Sequence, residues 1–593
     1  MTHTIHNDGR TRRPRTARAR RIALVLVVPL IVAACGSDST NSSSTSPAGG
    51  TQASGGTEAP GATAVPSGTE AAAPASGGGT PDPNGVIQVG MAKGDIDSID
   101  PNRWYAAITW GLANGLCTTL LRYDDKPGNA GVNVVPGLAD LPTVSADGTE
   151  YTFKLRDAKF ANGDPITPAD VKYTFERMAN PDIATGSDGY MKIVGKDDYT
   201  AGKATEISGI TTTADSVIFK LEGPDGSFPY KVSLPTTCPV GKDAPLTQDT
   251  DGSLMTKYAS GPYVIKSYTP ETSMVWVRNP NYNSALGDRG KAAEIDFTMG
   301  VDPAQAALKI KAGDIDLYTG NFPAADISQL SNDASVKSQV FSAARPAILT
   351  VFLNNDVPPF DNVKIRQAVN YAVNRSQIQR VWGGPSVGTP TDQILPPSVP
   401  EYRDYHAYPN QPNLDTAKQL MAESGLTLPI KTIIHTRNDV AGFEEACEVI
   451  QANLKEIGLD VEIVGTIGSV DQQAGGDRTQ KTPMGIVTFS MDFPDGQAFL
   501  NLLLDPAKPD FGGSYARFAD QSFIPSYDAV GALSGAERSK AYLDLDEKVM
   551  TEAAPWAPLL VPARFDFVSS RLTGYVYSQA MDNVNYNTVG VSG

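Results

Sequence analysis

The sequence predicts an α/β protein of at least two lobes, because strand-like and helix-like segments alternate along most of its 593 residues. Residues 150–156 (EYTFKLR) alternate apolar and polar side chains, the pattern of a strand with one buried face. Residues 167–170 (TPAD) then provide a cap, a first-turn proline and an acid for the start of a helix. Residues 443–458 repeat apolar side chains at helical spacing and lead into the strand-like run 459–465.

Two further helices are predicted from acids that precede apolar stripes. Asp361 is the expected cap of a helix over residues 363–382. Asp415 is the expected cap of a second helix, which Gly425 ends. The apolar run 485–491 reads as a strand that leads directly into Asp492. Burying an unpaired carboxylate costs several kcal/mol, so this acid is expected to meet water, a partner or a ligand.

The first 85 residues are predicted to lie outside the fold. Residues 1–34 join an arginine-rich head to a 13-residue apolar stretch, which is typical of a secretory signal and too short to span a bilayer. The stretch ends Val-Ala-Ala-Cys, which resembles the bacterial lipobox, so Cys35 is the expected lipidation site. The alternative is a plain signal peptide that happens to contain a cysteine. Residues 35–85 are rich in Ser, Thr, Gly, Ala and Pro and are expected to form a flexible tether.

Charge and composition exclude several functions. The whole chain carries −17, and removing the +6 of residues 1–34 leaves −23 for the rest. A nucleic-acid-binding protein would show a basic face, and none is visible. Only His406 and His435 remain beyond the predicted signal, so we expect neither a transition-metal site nor a cofactor.

Three cysteines remain once Cys35 is assigned to the lipid, which leaves room for one disulfide in an oxidising compartment. Cys447 lies on the apolar stripe of the helix predicted over 443–458 and reads as a buried free thiol. Cys117 and Cys238 are therefore the favoured pair, and an unpaired state of both stays open.

Eight segments, in order, resemble the extracytoplasmic solute-binding proteins of bacterial ABC importers, specifically the dipeptide, oligopeptide and nickel class (family 5). One such match would be weak, but eight in the same order are specific. The segments are residues 95–101 (DIDSIDP), 134–178 (VVPGLADL to TFERM), 260–268 (SGPYVIKSY), 279–283 (NPNYN), 310–318 (IKAGDIDLY), 353–378 (LNNDVPPF to VNRSQI), 417–425 (AKQLMAESG) and 488–496 (TFSMDFPDG).

The resemblance implies a two-lobed, periplasmic-binding-protein-like clamp of type II, with an extra subdomain in its first lobe. Carried over, lobe I comprises residues 86–121, 237–345 and 559–593, its extra subdomain residues 122–236, and lobe II residues 346–558. Such proteins close around a ligand by hinge motion. The resemblance also implies a monomer that delivers its ligand to an ABC permease and its ATPase subunits.

In peptide-binding members of this family, the acid of the 488–496 motif neutralises the free α-amino group of the peptide, and that acid aligns with Asp492. A carboxylate in a cleft that excludes water attracts an ammonium far better than it would in bulk solvent. The preceding residues Phe489, Ser490 and Met491 are expected to offer backbone hydrogen bonds to an extended peptide. The competing interpretation is that Asp492 caps a turn or pairs with Lys or Arg.

On the facing lobe, Arg103, Trp104, Tyr105 and Ala106 occupy the segment that contacts the ligand main chain in the family. Trp104 and Tyr105 would supply apolar walls that tolerate varied side chains, although both could be ordinary packing residues. Many peptide binders carry Trp shortly before the acid, whereas residues 488–491 here are Thr, Phe, Ser and Met. Relatives that carry sugars, nickel chelates or haem therefore remain alternatives to a peptide receptor.

Two other classes of protein compete with a transport receptor. Residues 384–388 (GPSVG) match the G-x-S-x-G pattern of hydrolases, but that elbow needs a strand before its serine and a helix after it. Here a predicted helix precedes Ser386, so we expect no enzyme. A surface receptor or scaffold that keeps the clamp without transport is the third possibility.

Overall fold

The computed structural model describes residues 80–94, 96–183, 191–438, 440–466, 478–510 and 513–593. The predicted signal peptide, Cys35 and most of the predicted tether lie outside the described residues. No helix in the described ranges has both the length and the apolar character needed to cross a membrane.

The first of the larger sheets is mixed and has five strands. In it β1 runs parallel to β10 and β11, while β8 and β9 are antiparallel neighbours, giving the order β11-β1-β10-β9-β8. Its strands are β1 (Val86–Gly90), β8 (Tyr263–Thr269), β9 (Ser273–Arg278), β10 (Glu294–Thr298) and β11 (Leu317–Tyr318). Apolar side chains alternate into its core, where Trp276 is fully buried.

A separate four-stranded antiparallel sheet lies within the predicted extra subdomain. Its order is β4-β5-β7-β6, with β4 (Thr143–Val144), β5 (Glu150–Lys154), β6 (Ile210–Thr212) and β7 (Ser216–Lys220). The predicted strand at 150–156 is confirmed as β5, with Tyr151 and Phe153 buried. The predicted helix is α2 (Pro168–Ala179), and Thr167 and Asp170 form a complete capping box at its start.

A seven-stranded sheet is built from strands between residues 340 and 567. Its order is β12-β18-β13-β17-β15-β16, and β14 pairs with β18. Its strands are β12 (Val340–Ala344), β13 (Ala347–Leu353), β14 (Gly388–Pro390), β15 (Ile430–Arg437), β16 (Leu459–Thr466), β17 (Met484–Ser490) and β18 (Trp556–Phe567). The predicted strands at 459–465 and 485–491 are confirmed as β16 and β17.

The twelve-residue strand β18 pairs with a different strand along each of its halves. Its first half pairs with β13, from Leu349↔Leu560 to Phe352↔Trp556, and its second half pairs with β12, from Ala344↔Ala563 to Val340↔Phe567. The predicted lobe boundary at 345/346 lies between β12 and β13, and the boundary at 558/559 lies within β18. Both are therefore at the place where the chain passes from one predicted lobe to the other. The predicted α/β, two-lobed fold is confirmed, while the individual boundaries stay a prediction.

Three two-stranded ribbons and the remaining helices complete the described chain. The ribbons are β2 (Leu121–Tyr123) with β3 (Val134–Pro136), β19 (Leu572–Thr573) with β22 (Gly590–Val591), and β20 (Tyr577–Ser578) with β21 (Asn583–Val584). The helices are α1 (Ala107–Leu116), α3 (Lys196–Thr200), α4 (Phe228–Lys231), α5 (Ser253–Lys257), α6 (Pro303–Ala312), α7 (Ala324–Asn332), α8 (Val363–Ala372), α9 (Arg375–Trp382), α10 (Leu414–Glu423), α11 (Phe443–Lys455), α12 (Leu500–Leu503), α13 (Ile524–Gly531) and α14 (Gly535–Lys548).

Both predicted acidic caps are wrong. The side chain of Asn362, not Asp361, accepts the hydrogen bond from the backbone of Lys364 and caps α8. Asn413 caps α10, and Asp415 lies inside its first turn, where a negative charge still favours the helix. The single helix predicted over 363–382 is two helices, because Asn374 caps α9 as a new helix.

Cys117 and Cys238 are joined by a disulfide, with their Cα atoms 5.8 Å apart, and Cys447 is a buried free thiol. Cys117 directly follows α1, and Cys238 directly follows the short 3₁₀ turn Pro235–Thr237. The bond therefore closes a loop that contains all of β2 to β7. It joins the points where the chain enters and leaves the predicted subdomain.

Replacing both cysteines, as Cys117→Ala with Cys238→Ala, should lower the free energy of unfolding by about 3–5 kcal/mol, because the unfolded chain regains the entropy of a long loop. Urea unfolding followed by circular dichroism measures the change. Reducing the wild-type protein should reproduce the effect. Equal midpoints for the oxidised, reduced and double-variant proteins would contradict a stabilising bond.

Candidate functional site

The end of β17 has one backbone edge that no described strand occupies. The Met491 N–H donates to the Pro346 carbonyl at 2.8 Å, which continues the ladder between β17 and β13. Backbone groups alternate between the two edges of a strand, so those of Thr488 and Ser490 point away from β13. On that side β15 pairs with β17 only at Met484 and Gly485. Among the described residues, the edge from Ile486 to Ser490 therefore carries no further strand.

This alternation corrects part of the prediction for residues 489–491. The Met491 N–H is already bonded, and the Met491 side chain is only 3% exposed. The backbone groups of Phe489 face Ile348 on β13 rather than the open edge. Of the three predicted residues, only Ser490, which is exposed, combines an outward backbone with an accessible side chain.

Phe489 contributes an aromatic ring that is held in place by its neighbours. It is half-buried and stacks on Trp556 with ring centroids 5.4 Å apart and planes only 6° from parallel. It also packs against Tyr515 at 5.5 Å. Offset aromatic pairs of this kind stabilise one ring position, so Phe489 offers a fixed apolar surface beside the open edge.

Asp492 is half-buried and lies close to aromatic side chains from the predicted subdomain. Tyr123 is 5% exposed, and its hydroxyl is buried without a hydrogen-bond partner among the described residues. Burial raises the pKa of Tyr123 well above its usual value. The neighbouring Tyr230 and the carboxylates of Asp495 and Asp492 raise that pKa further. Tyr123 also stacks on Tyr230 with ring centroids 6.5 Å apart, so the aromatic pair and the two acids interact with one another.

The segment predicted to lie on the facing lobe, residues 100–106, is held by a buried ion pair. Arg177 on α2 donates to both carboxylate oxygens of Asp100, at 2.8 and 2.6 Å, and to the side-chain oxygen of Asn102 at 2.7 Å. All three residues have no exposed surface. Asn102 also donates to the carbonyls of Thr236 and Cys238, which ties the segment to the disulfide region.

A second acid, Asp97, shapes the other end of this segment. One of its oxygens accepts the backbone N–H groups of both Tyr105 and Ala106 at 2.9 Å, and the other accepts the Thr109 hydroxyl at 2.6 Å. These bonds take up the N–H groups of Tyr105 and Ala106. Any main-chain bonds that this segment offers a ligand must therefore come from other backbone groups.

The four predicted residues of the segment differ in exposure. Tyr105 is 46% exposed, Arg103 and Ala106 are partly buried, and Trp104 is fully buried in the hydrophobic core. Arg103 donates to the Ile183 carbonyl at 2.8 Å. In this conformation Tyr105, not Trp104, is the aromatic ring that offers a surface to a ligand.

The sequence prediction missed Arg177, Asp97, Tyr123 and Tyr230. Both Asp97 and Arg177 lie in segments that the resemblance already singled out, 95–101 and 134–178. Arg177 could have been found from the sequence, because it lies at the apolar end of α2. A charged residue in such a position is buried only when it is paired. Tyr123 and Tyr230 carried no comparable signal.

Two other candidate groups do not form a recognisable site. Ser386 follows helix α9 and precedes strand β14, the reverse of the strand-serine-helix order that a nucleophile elbow requires.

Asp392, Asp404 and His406 are the one group of described residues whose ligand atoms, all within 4.8 Å, could hold a metal ion. Two of these side chains are exposed, and Asp392 already accepts the backbone N–H of Tyr408.

The class of protein is identified by a match to a known family. The family model described as bacterial extracellular solute-binding proteins, family 5 Middle, matches residues 133–511, more than half of the chain. The chain therefore belongs to this family, whose members are extracytoplasmic binding proteins of transport systems and not a family of enzymes.

Relatives within the family carry different names. Heme-binding protein A of Haemophilus influenzae is 28% identical over 475 residues, which is 75% of this chain and 82% of the relative. A probable di/tripeptide-binding protein of Pseudomonas aeruginosa is also 28% identical, over 78% of this chain and 88% of the relative. The solved structure of clavulanic acid biosynthesis oligopeptide binding protein 2 has a TM-score of 0.80 and 23% identity, covering 88% of this chain and 99% of that one.

Replacing Arg177 with methionine should lower the free energy of unfolding by about 3–5 kcal/mol, because Asp100 would remain buried without its partner. Thermal and urea unfolding measure the loss. The matched control is Arg403→Met, which breaks an exposed pair with Asp544 and Glu547 and should cost at most about 1 kcal/mol. If both variants lose equally little, Arg177 does not support the segment.

Proposed function

We propose that the protein is the substrate-binding lipoprotein of an ABC importer and captures short peptides. The observation that carries this proposal is the end of β17. There the backbone edge at Thr488 and Ser490, which no described strand occupies, leads directly to the half-buried carboxylate of Asp492. An extended peptide fits this arrangement, because its main chain can add as a strand while its free amino group meets the acid.

Electrostatics favours a cationic group at Asp492. The half-buried carboxylate of Asp492 interacts electrostatically with the buried Tyr123, and aromatic side chains attract an ammonium. A peptide α-amino group is a compact cation of the right charge. Phe489 and Tyr105 would provide apolar surfaces for the side chains of the peptide without selecting a particular type of side chain.

A non-peptide solute is the second candidate. It is favoured by the names of the relatives, since one called heme-binding and one called di/tripeptide-binding are equally similar to this chain. The absence of Trp at residues 488–491 points the same way. A surface receptor or scaffold with the same clamp would differ from both by binding no transported solute.

The proposal includes the location and the partners. A lipid on Cys35 would hold the protein at the outer face of the cell membrane, with residues 36–85 as a tether. The receptor would act as a monomer and deliver its peptide to a permease with its ATPase subunits. No cofactor and no nucleic acid take part.

Asp492→Asn should weaken binding of a tripeptide with a free N-terminus by roughly 30-fold or more, the effect of removing one partner of a largely desolvated charge pair. Isothermal titration calorimetry measures the affinity. The N-acetylated tripeptide should bind the wild type poorly and should lose nothing further in the variant. Asp528→Asn, which removes an exposed acid on α13, is the matched control.

Wild-type affinity in Asp492→Asn would show that Asp492 does not bind the amino group. Equal binding of the free and acetylated tripeptides by the wild type would have the same meaning. If the wild type binds neither peptide, the peptide proposal itself fails and the non-peptide candidate replaces it.

A further inference from the structure

The segment 225–231, which leads into and includes α4, touches the other side of the cleft. The Ser227 hydroxyl lies 2.6 Å from the side-chain oxygen of Gln497, a hydrogen-bond distance. The ammonium of Lys231 lies 5.8 Å from the centroid of the Phe493 ring. Residues 225–231 belong to the predicted subdomain, whereas residues 493–497 follow β17 and Asp492. These contacts therefore cross between the two lobes beside the proposed amine site.

Two buried ion pairs lie at this crossing, one on each side. Lys231 pairs with Asp225 at 2.6 Å, with 5% and 14% of the side chains exposed. Arg538 on α14 pairs with Asp495 at 2.8 Å, with 2% and 3% exposed. Charges this deeply buried are stable only when they are paired, so each side brings a neutralised pair to the contact.

The two pairs also influence each other. Burial lowers the pKa of Lys231, Asp225 and Asp495 oppose that change, and Arg538 adds to it. Burial acts to lower the pKa of Arg538, but Asp495 raises it and Asp225 from the other lobe raises it further. The four charges thus form one interacting group, in which each cation is attracted by the acid of the opposite side while the two cations repel each other.

The backbones of the two sides approach very closely at one glycine. A Cβ atom on Gly226 would lie 2.4 Å from the carbonyl oxygen of Leu533, which is backbone on the lobe II side. Real Cβ atoms do not come this near to a backbone oxygen, so any larger residue at 226 requires the backbone on at least one side to shift. Gly223, three residues earlier, has no atom within 4 Å of such a Cβ.

We propose that residues 225–231 form a latch that holds the cleft shut through the four-charge group and the glycine contact. The latch rests on the proposed function in one respect, because its role is to retain the captured solute. In an open clamp each ion pair would face water, and the attraction between the pairs would be screened. Closure removes water from both pairs and covers Phe493, so the latch adds to the stability of the closed form independently of which solute is bound.

Gly226→Ala tests the latch without changing any charge or any proposed ligand contact. In the full-length protein without added ligand, spin labels at Lys220→Cys and Asp528→Cys report the distance between the two sides by electron–electron double resonance. Gly226→Ala should shift the population to longer distances, while Gly223→Ala, the control on the same loop, should match the wild type. Tripeptide affinity should fall at least tenfold in Gly226→Ala only, because the closed fraction is smaller.

A second variant tests the charges. Asp225→Asn combined with Lys231→Met removes one pair without leaving an unpaired charge, and it should lengthen the same distance. Distances in Gly226→Ala and the double variant that equal those of the wild type would overturn the latch. If the distances shift as expected but no protein binds peptide, the latch stands and the peptide proposal falls. Urea unfolding checks that each variant is folded, and its unfolding midpoint is compared with that of Gly223→Ala.

Discussion

The hydrogen-bonded pairing of β12 with β18 connects the two predicted lobes and sets their positions. The chain passes between the two predicted lobes along these adjacent antiparallel strands, and β18 continues without a break into the sheet of lobe II. Only one strand, β13, separates β18 from β17, which ends at the proposed ligand site. A small bend of β12 and β18 would therefore move Asp492, as part of a rigid sheet, relative to the first predicted lobe.

Buried ion pairs hold segments on both sides of the proposed ligand site. Arg177 fixes Asp100 and Asn102 on one side, and Arg538 fixes Asp495 on the other. Buried ion pairs contribute little net stability compared with apolar residues, but they strongly oppose any geometry that separates their members. Such pairs suit a protein that must keep two surfaces in register while the space between them opens and closes.

Much of this fold could be predicted from the sequence because the signals are local. The alternation in residues 150–156 and the Thr167–Asp170 box act within a few residues, and both predicted elements are confirmed. The caps at Asn362 and Asn413 were missed because a neighbouring acid offers nearly the same chemistry, and only the exact path of the backbone selects between them.

The site was harder to predict because its features depend on distant contacts. Trp104 is an aromatic residue next to Tyr105, yet one ring is buried and the other is exposed, a difference that the fold alone decides. Arg177 and Asp100 are separated by 77 residues, and Gly226 is constrained by Leu533. The resemblance led to Asp492 but not to Tyr123, whose position near the acid requires the subdomain to be in place.

Native mass spectrometry of the protein purified from cells grown in rich medium would identify the bound solute. We expect bound masses that fragment as short peptides in the wild type and that are depleted when Asp492 is replaced by alanine. Haem, a metal chelate or a sugar bound in their place, at the same level in both proteins, would contradict this expectation.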